Sequence, residues 1–386
     1  MGEEDDSYAI LLDKTVLRAA RLGAPSFLEI TLACKGAFPS DVWSAIKRLN
    51  LIEAVITSKS ARRILDTHRM LEDWWPEPSP VNYEWRFTCE TAEDIAQTAL
   101  EYGRRILCLG TPTVFRNLVF RGADAYLVDR NPFIATSLQS VSKDRIVIAD
   151  VSDRRRISAL NRFDVVVMDP PWYPAHINYW LNIARELVAS TGTILLTLFP
   201  ELTRPSARSE RTALLERLGD FGVYEFAPRK VSYETPLFER ETLSALGVPP
   251  LPVWRTGELL ALSVSSSSPA FDAAAPTEDE WGYFLFGTQV VGLRKSTSDA
   301  ENITVSAPYE DFTFLLRSVS TRDPIRPIIG LWTSRNRVAK LTGSARIGQF
   351  LKTLQSGVAC QIAIDQTAMD SQESAALKML VALIGL

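Results

Sequence analysis

"FDVVVMDPPWYPAHINYW", residues 163–180, joins a hydrophobic run to a helical pattern through an acid and two prolines. Proline has no N–H to donate and fixes φ, so a strand cannot continue through Pro170 and Pro171 as a central ladder member. Asp169, Pro170, Pro171 and Trp172 therefore lie where a buried strand stops and the backbone turns outward. In an open α/β sheet, that edge is where ligands bind.

Working outward, four further runs share the character of "FDVVVMD". "RRILCLG" ends at Gly110, "DAYLVDR" (124–130) carries Asp129, "DRIVIAD" (144–150) ends in Asp150, and "TGTILLTLFP" spans 191–200. Continuous Val/Ile/Leu runs alternating with helical patterns predict a mostly parallel sheet covered on both faces, an α/β, Rossmann-like doubly wound architecture. Residues 223–236 and 258–265 bracket the helical "LFERETLSALG" and read as an edge pair closing that sheet. "TAED" from Thr91 reads as a capping-box-like start for a helix over 95–102.

The flanks have a different texture. Apolar spacing predicts a helix over 8–22 and two short helices within 26–49, separated by a turn at Gly36. Ser40 or Asp41 would cap the second of these, and Val42, Trp43, Ile46 and Leu49 form its stripe. Helix, glycine turn, helix is the shape of a helix-turn-helix. Residues 1–88 thus read as a winged-helix-like domain, a module used both for nucleic-acid contact and for homodimers. The central domain spans 89–265, "SSSPAFDAAAPTEDE" (266–280) is a linker by composition, and 281–386 form a small α+β domain. That last domain carries no chemical motif and is read as a surface for a protein partner.

The 386 residues, 46% apolar and 23% charged with a net charge of −4, describe an ordinary globular chain whose basic surfaces must be local. Four scattered cysteines without a CxxC pair and two histidines, His68 and His176, predict no metal site. The acidic opening "MGEEDDSY" does not resemble a signal peptide, and no apolar run reaches membrane-spanning length, so the expectation is a cytoplasmic protein without membrane contact.

Asp129, Asp150 and Asp169 each terminate a predicted parallel strand, so all three face one crevice. A carboxylate after the second strand suits a ribose diol, and one after the third can meet the amino edge of an adenine. The order strand–Gly110, strand–Asp129, strand–Asp150, strand–Asp169-Pro170-Pro171-Trp172 resembles the class I S-adenosylmethionine-dependent methyltransferases over roughly 91–265. It is most similar to the amino-methyltransferases with an aspartate-proline-proline-aromatic motif. The resemblance implies S-adenosyl-L-methionine as cofactor beside Gly110 and Thr111, Asp169 and Pro170 as acceptors for the target amino group, and Trp172 as a ring stacked on the substrate. The activity it implies is N-methyl transfer to an amino group, with a nucleic-acid base as the leading target. The loop "LGTPTVF" departs from the usual glycine-rich sequence. A second resemblance, in layout and in "DPPWYP", is to the branched-chain polyamine synthases, which are aminopropyltransferases; Thr111, Pro112 and Thr113 stand where that family places acids. A third reading is a methyltransferase-like fold with a degenerate cofactor loop, serving as a binding or scaffolding subunit.

Further residues are candidates for the acceptor. Tyr173 is a second stacking ring, and His176, near Trp172, could relay a proton. Arg154, Arg155 and Arg156 follow the third strand, and Arg204, Arg208 and Arg211 follow the fifth. Arginine clusters suit phosphates. Arg229, Lys230 and Tyr233 combine cations with an aromatic ring, as single-strand surfaces do. Trp180 falls on the apolar stripe of the helix behind the motif and reads as packing.

Overall fold

The computed structural model describes residues 3–23, 26–56, 75–160, 162–264, 270–271, 273–276, 280–295, 302–320 and 323–386. Two compact units divide the chain. The first contains Met1–Glu72, Arg86–Thr235 and Leu251–Pro276, and the second contains Asp73–Trp85, Pro236–Pro250 and Thr277–Leu386.

The first unit is built on a seven-stranded sheet of β1 (Arg105–Leu109), β2 (Asp124–Asp129), β3 (Ile146–Ile148), β4 (Phe163–Met168), β5 (Val188–Leu198), β6 (Gly222–Glu234) and β7 (Val253–Val264), in the order β3-β2-β1-β4-β5-β7-β6. The first five strands are parallel; β7 runs antiparallel to β5, and β6 antiparallel to β7. Four of the five residues of β1 and five of the six of β4 are buried, as strands at the middle of a doubly covered sheet must be. Strand order reverses between β1 and β4, which sets the topological switch point at Gly110 and Asp169.

Ahead of the sheet come α1 (Glu3–Arg21), α2 (Phe27–Ala33), α3 (Pro39–Arg48) and α4 (Ile52–Ile56). The α2–α3 turn passes through Lys35 and Gly36, at φ 42° and 85°. A Cβ on Gly36 would lie 3.0 Å from both Pro200 Cγ and Thr203 Oγ1, so close approach as well as backbone angle calls for glycine. Ser26 and Glu29 form a reciprocal capping box on α2. Neither Ser40 nor Asp41 caps α3: the helix begins at Pro39, whose fixed φ suits a first turn, and Phe38 precedes it without a side-chain cap. The expected stripe residues Val42, Trp43 and Ile46 are buried. His68 and the part of the expected winged-helix-like domain over 57–74 lie outside the described residues.

Helix α5 (Cys89–Tyr102) starts six residues before the expected Ile95, because Thr88 rather than Thr91 is its cap, accepting from Thr91 N at 3.3 Å. The sheet is completed by α6 (Pro112–Phe120), α7 (Pro132–Ser142), α8 (Arg154–Ile157), α9 (Pro174–Leu187) and α10 (Ala207–Phe221). Within the compositional linker, Phe271 is tied to the first unit: its backbone N–H donates to Asn182 Oδ1, its carbonyl accepts from Asn182 Nδ2, and its ring lies 4.9 Å from that of Phe221.

The second unit holds α11 (Leu237–Ala245), then β8 (Trp281–Phe286), β9 (Gln289–Arg294), β10 (Thr304–Ser306), β11 (Leu331–Thr333) and β12 (Val338–Thr342), followed by α12 (Ser344–Gln355), α13 (Cys360–Thr367) and α14 (Ser371–Leu383). Its sheet, antiparallel throughout, has the order β10-β12-β11-β9-β8. Val291, Leu331, Ile347, Phe350, Leu377 and Leu380 form the heart of its core. The carboxylate of Glu373 on α14 accepts from Arg346 and from the backbone N–H groups of Ile303 and Met369. Among the described residues no helix is long and apolar enough to cross a membrane.

Candidate active site

Register brings the candidate residues to one level. Leu109 pairs with both Val128 and Met168, and Met168 with Leu196. The residues that follow these pairs, Gly110, Asp129, Asp169 and Thr197, therefore stand side by side at the carboxyl edge of β2, β1, β4 and β5. This is what a strand stopped by Pro170-Pro171 was expected to do for Asp169.

Asp169 Oδ1 accepts two hydrogen bonds, one from the Thr197 hydroxyl and one, of 2.8 Å, from the Tyr233 phenol. Thr197 is 0% exposed and Tyr233 1%, whereas Asp169 keeps some access to solvent. Burial pushes the Asp169 carboxyl up to about 6, against the pull of Thr197, Tyr233, the Arg255 charge and the Trp172 indole. Burial, then the Asp169 charge, hold the Tyr233 phenol well above its usual range. Trp172 Nε1 is buried without a hydrogen bond of normal geometry, although it is close enough to Asp169 to favour the ionised form.

Trp172 is 3% exposed. Its ring is covered by the Arg255 guanidinium at 3.9 Å, meets Tyr233 edge-on at 5.5 Å, and abuts Gly257, where a Cβ would lie 3.0 Å from it. The motif's aromatic ring is thus a wall of the site, packed on its own protein. Tyr233 also faces inward, 1% exposed with its ring 4.9 Å from that of Phe87, while Lys230 is exposed. Tyr173 and His176 are half-buried at the start of α9, ring centres 6.1 Å apart, with Arg204 over Tyr173 at 5.2 Å.

On the other side of the switch point, Gly110 has φ 62° and donates its N–H to Val128 O at 2.9 Å. A Cβ there would lie 3.0 Å from Trp180 Cη2, so Trp180, read from sequence as packing, packs on the loop after β1. Thr111 Oγ1 is buried without a hydrogen-bond partner of normal geometry, its near neighbour being the Cys108 thiol. Asp129 is half-buried and accepts from Asn131 N at 2.8 Å. Asp150 is exposed and paired with Arg130 at 3.3 Å; burial resists its ionisation, but Ser152 and Arg130 together hold its carboxyl below the usual range.

The basic clusters are mostly engaged. Arg154 pairs with Glu186, Arg156 with Asp153, Arg204 with Glu210, and Arg211 with Glu258. Arg155, Arg208 and Lys230 are exposed. Sequence reasoning placed none of Thr197, Arg255 or Gly257 in the site.

A parallel five-stranded core, the switch between β1 and β4 and an antiparallel β7 between β5 and β6 define a Rossmann-like α/β fold. The chain matches no protein-family model and no curated protein. Among solved structures it is similar to the branched-chain polyamine synthase of Thermus thermophilus bound to N4-aminopropylspermidine and 5'-methylthioadenosine, at TM-score 0.53 and 14% identity, covering 69% of this chain and 90% of that one. A mutein of the same synthase gives TM-score 0.52, again at 14% identity with 69% and 90% covered. The 16S rRNA methyltransferase RsmC of the same organism, with AdoMet and guanosine, reaches only TM-score 0.31 at 13% identity, over 53% of this chain and 45% of that one.

Proposed function

We propose that this chain is an S-adenosylmethionine-dependent N-methyltransferase in which Asp169 receives the acceptor amine. The observation that carries the reading is a carboxylate at the switch point of the sheet, anchored through one oxygen and raised to about 6 by burial. When bound, the sulfonium donor supplies an electrophilic methyl group. Gly110, the buried Thr111 hydroxyl and Asp129 fit such a donor: a loop without a Cβ, a hydroxyl with no hydrogen-bond partner of normal geometry, and a carboxylate for a diol. Asp169, with the Pro170 carbonyl, would hold the amine's N–H groups, aim its lone pair and offset the positive charge that develops on nitrogen. Trp172 would bound the acceptor space and keep water from Asp169.

A nucleic-acid base is the acceptor that the motif implies, and Arg155, Arg208 and Lys230 are the exposed cations that would meet its phosphates. The winged-helix-like reading of the first helices belongs to this proposal. Aminopropyl transfer is a second reading, favoured by the fold overlap with the polyamine synthase.

The test is calorimetry followed by transfer. S-adenosylmethionine should bind the wild type, Asp129→Ala should weaken it by about 1.5–3 kcal/mol, and labelled methyl should reach an oligonucleotide. Binding of decarboxylated S-adenosylmethionine instead, with transfer to spermidine, would select the second reading. No heat with either donor at millimolar concentration would leave only a binding or scaffolding role.

A further inference from the structure

The two donors to Asp169 arrive on different strands, yet both end on the same oxygen, Oδ1. A carboxylate oxygen has two lone-pair directions, and this one has both filled. Neither donor reaches solvent, so neither can touch an acceptor.

Tyr233 reaches the carboxylate because the β6–β7 ladder is irregular there. Ser232 pairs with Thr256 and Glu234 with Val253, so two residues of β7, Trp254 and Arg255, stand opposite Tyr233 alone. Such a bulge re-aims side chains. The chain entering the first unit then clamps the spot. Thr88 N donates to Ser232 O at 3.0 Å, Glu234 N donates to Arg86 O at 2.9 Å, and Phe87 bridges to Tyr233 between them. The ring of Tyr233 fills space between Phe87 and Trp172, which a phenylalanine would fill as well. Only the hydroxyl is specific to Asp169.

Resting on the reading of Asp169 given above, we propose that Tyr233 and Thr197 are positioning residues that lock Oδ1 of Asp169, leaving Oδ2 as the oxygen that meets the acceptor amine. Removing either donor frees the carboxylate to rotate and weakens its hold on the charged form.

The experiment uses the full chain labelled with carbon-13 at aspartate carboxyls, the Asp169 signal being assigned by its loss in Asp169→Asn. Tyr233→Phe and Thr197→Val should each move the Asp169 midpoint upward by about one pH unit, and Thr197→Ser should restore it. Transfer from S-adenosylmethionine to an adenine-containing oligonucleotide or to spermidine should lose about 10–100-fold in kcat in Tyr233→Phe, with KM changed less than about 2-fold. An unmoved midpoint in Tyr233→Phe, in a variant whose melting temperature matches wild type, overturns the lock, whatever the chemistry. So does full kcat in Tyr233→Phe where Asp169→Asn is inactive. A wild type that transfers to neither probe counts against the proposed function alone, and the carboxyl titration then decides the lock by itself.

Discussion

The guanidinium of Arg255 lies 3.9 Å from the centre of the Trp172 ring and 5.5 Å from that of Tyr233. Three side chains from β6, β7 and the loop after β4 thereby enclose one carboxylate. The enclosure raises Asp169 by burial more than its donors and Arg255 lower it. A group kept near 6 can exchange a proton with an amine close to neutral pH.

That arrangement has a cost in stability with a defined pH window. The folded value, about 6, exceeds the ordinary 3.8, so between those values the folded state binds more protons than the unfolded one. Stability should fall as pH rises from about 4 to about 6, by at most about 3 kcal/mol, and then level off. Asp169→Asn should therefore melt above wild type at neutral pH, with the gap closing below pH 4. Thermal melts across that range check this; a wild type that gains on the variant as pH rises would refute it.

Gly110→Ala should lower both melting temperature and donor affinity. Its backbone is left-handed, which costs a residue with a Cβ about 1–2 kcal/mol, and the new methyl meets Trp180 at 3.0 Å. Adding Trp180→Ala should recover the part due to crowding but not the part due to φ. Calorimetric melts of the single and double variants separate the two.

Ion pairing divides the arginines into two groups with different expected effects. Charge reversal at Arg155 and Arg208 should weaken oligonucleotide binding and reduce its salt slope by about one per residue. Reversal at Arg204 or Arg211, which pair with Glu210 and Glu258, should instead lower the melting temperature. Binding isotherms at several salt concentrations, run beside melts, test the division. Equal loss of binding from both groups would contradict it.

In the second unit, Arg346 and two backbone N–H groups hold the Glu373 carboxyl down at about 2, against an ordinary 4.5. A depressed acid stabilises above its unfolded value and loses that contribution as pH falls through the folded one. Acid unfolding of this unit should steepen from pH 4.5 to 2 in wild type and be shallower in Glu373→Gln, which starts less stable at pH 7. Tryptophan fluorescence over an acid titration reads both slopes.

How much of this was legible depended on whether the signal was local. Asp169 could be placed from proline stereochemistry alone, and the five parallel strands from their unbroken apolar runs. Thr197 could not, because it lies inside one such run and only the pairing of Met168 with Leu196 brings it level with Asp169. Tyr233 was read as part of a cationic surface from its neighbours in sequence. Strand alternation gives the better reading: Val231 and Tyr233 share the buried face while Lys230 is exposed. The bulge opposite Tyr233 has no sequence mark at all. The arginine clusters showed their charge but not their partners, since Glu186 is 32 residues from Arg154 and Glu258 is 47 from Arg211.

The interleaving of the two units limits how this protein can be taken apart. Each consists of three stretches of chain, and the polypeptide passes from one to the other five times. A cut within 266–280 would release a fragment without Val81, which packs with Trp332 and Leu316, and without α11, whose Thr242 bonds Asn336 at 2.6 Å. Neither unit is a removable cassette, and shuffling or truncation at that seam should yield two incomplete cores rather than two domains.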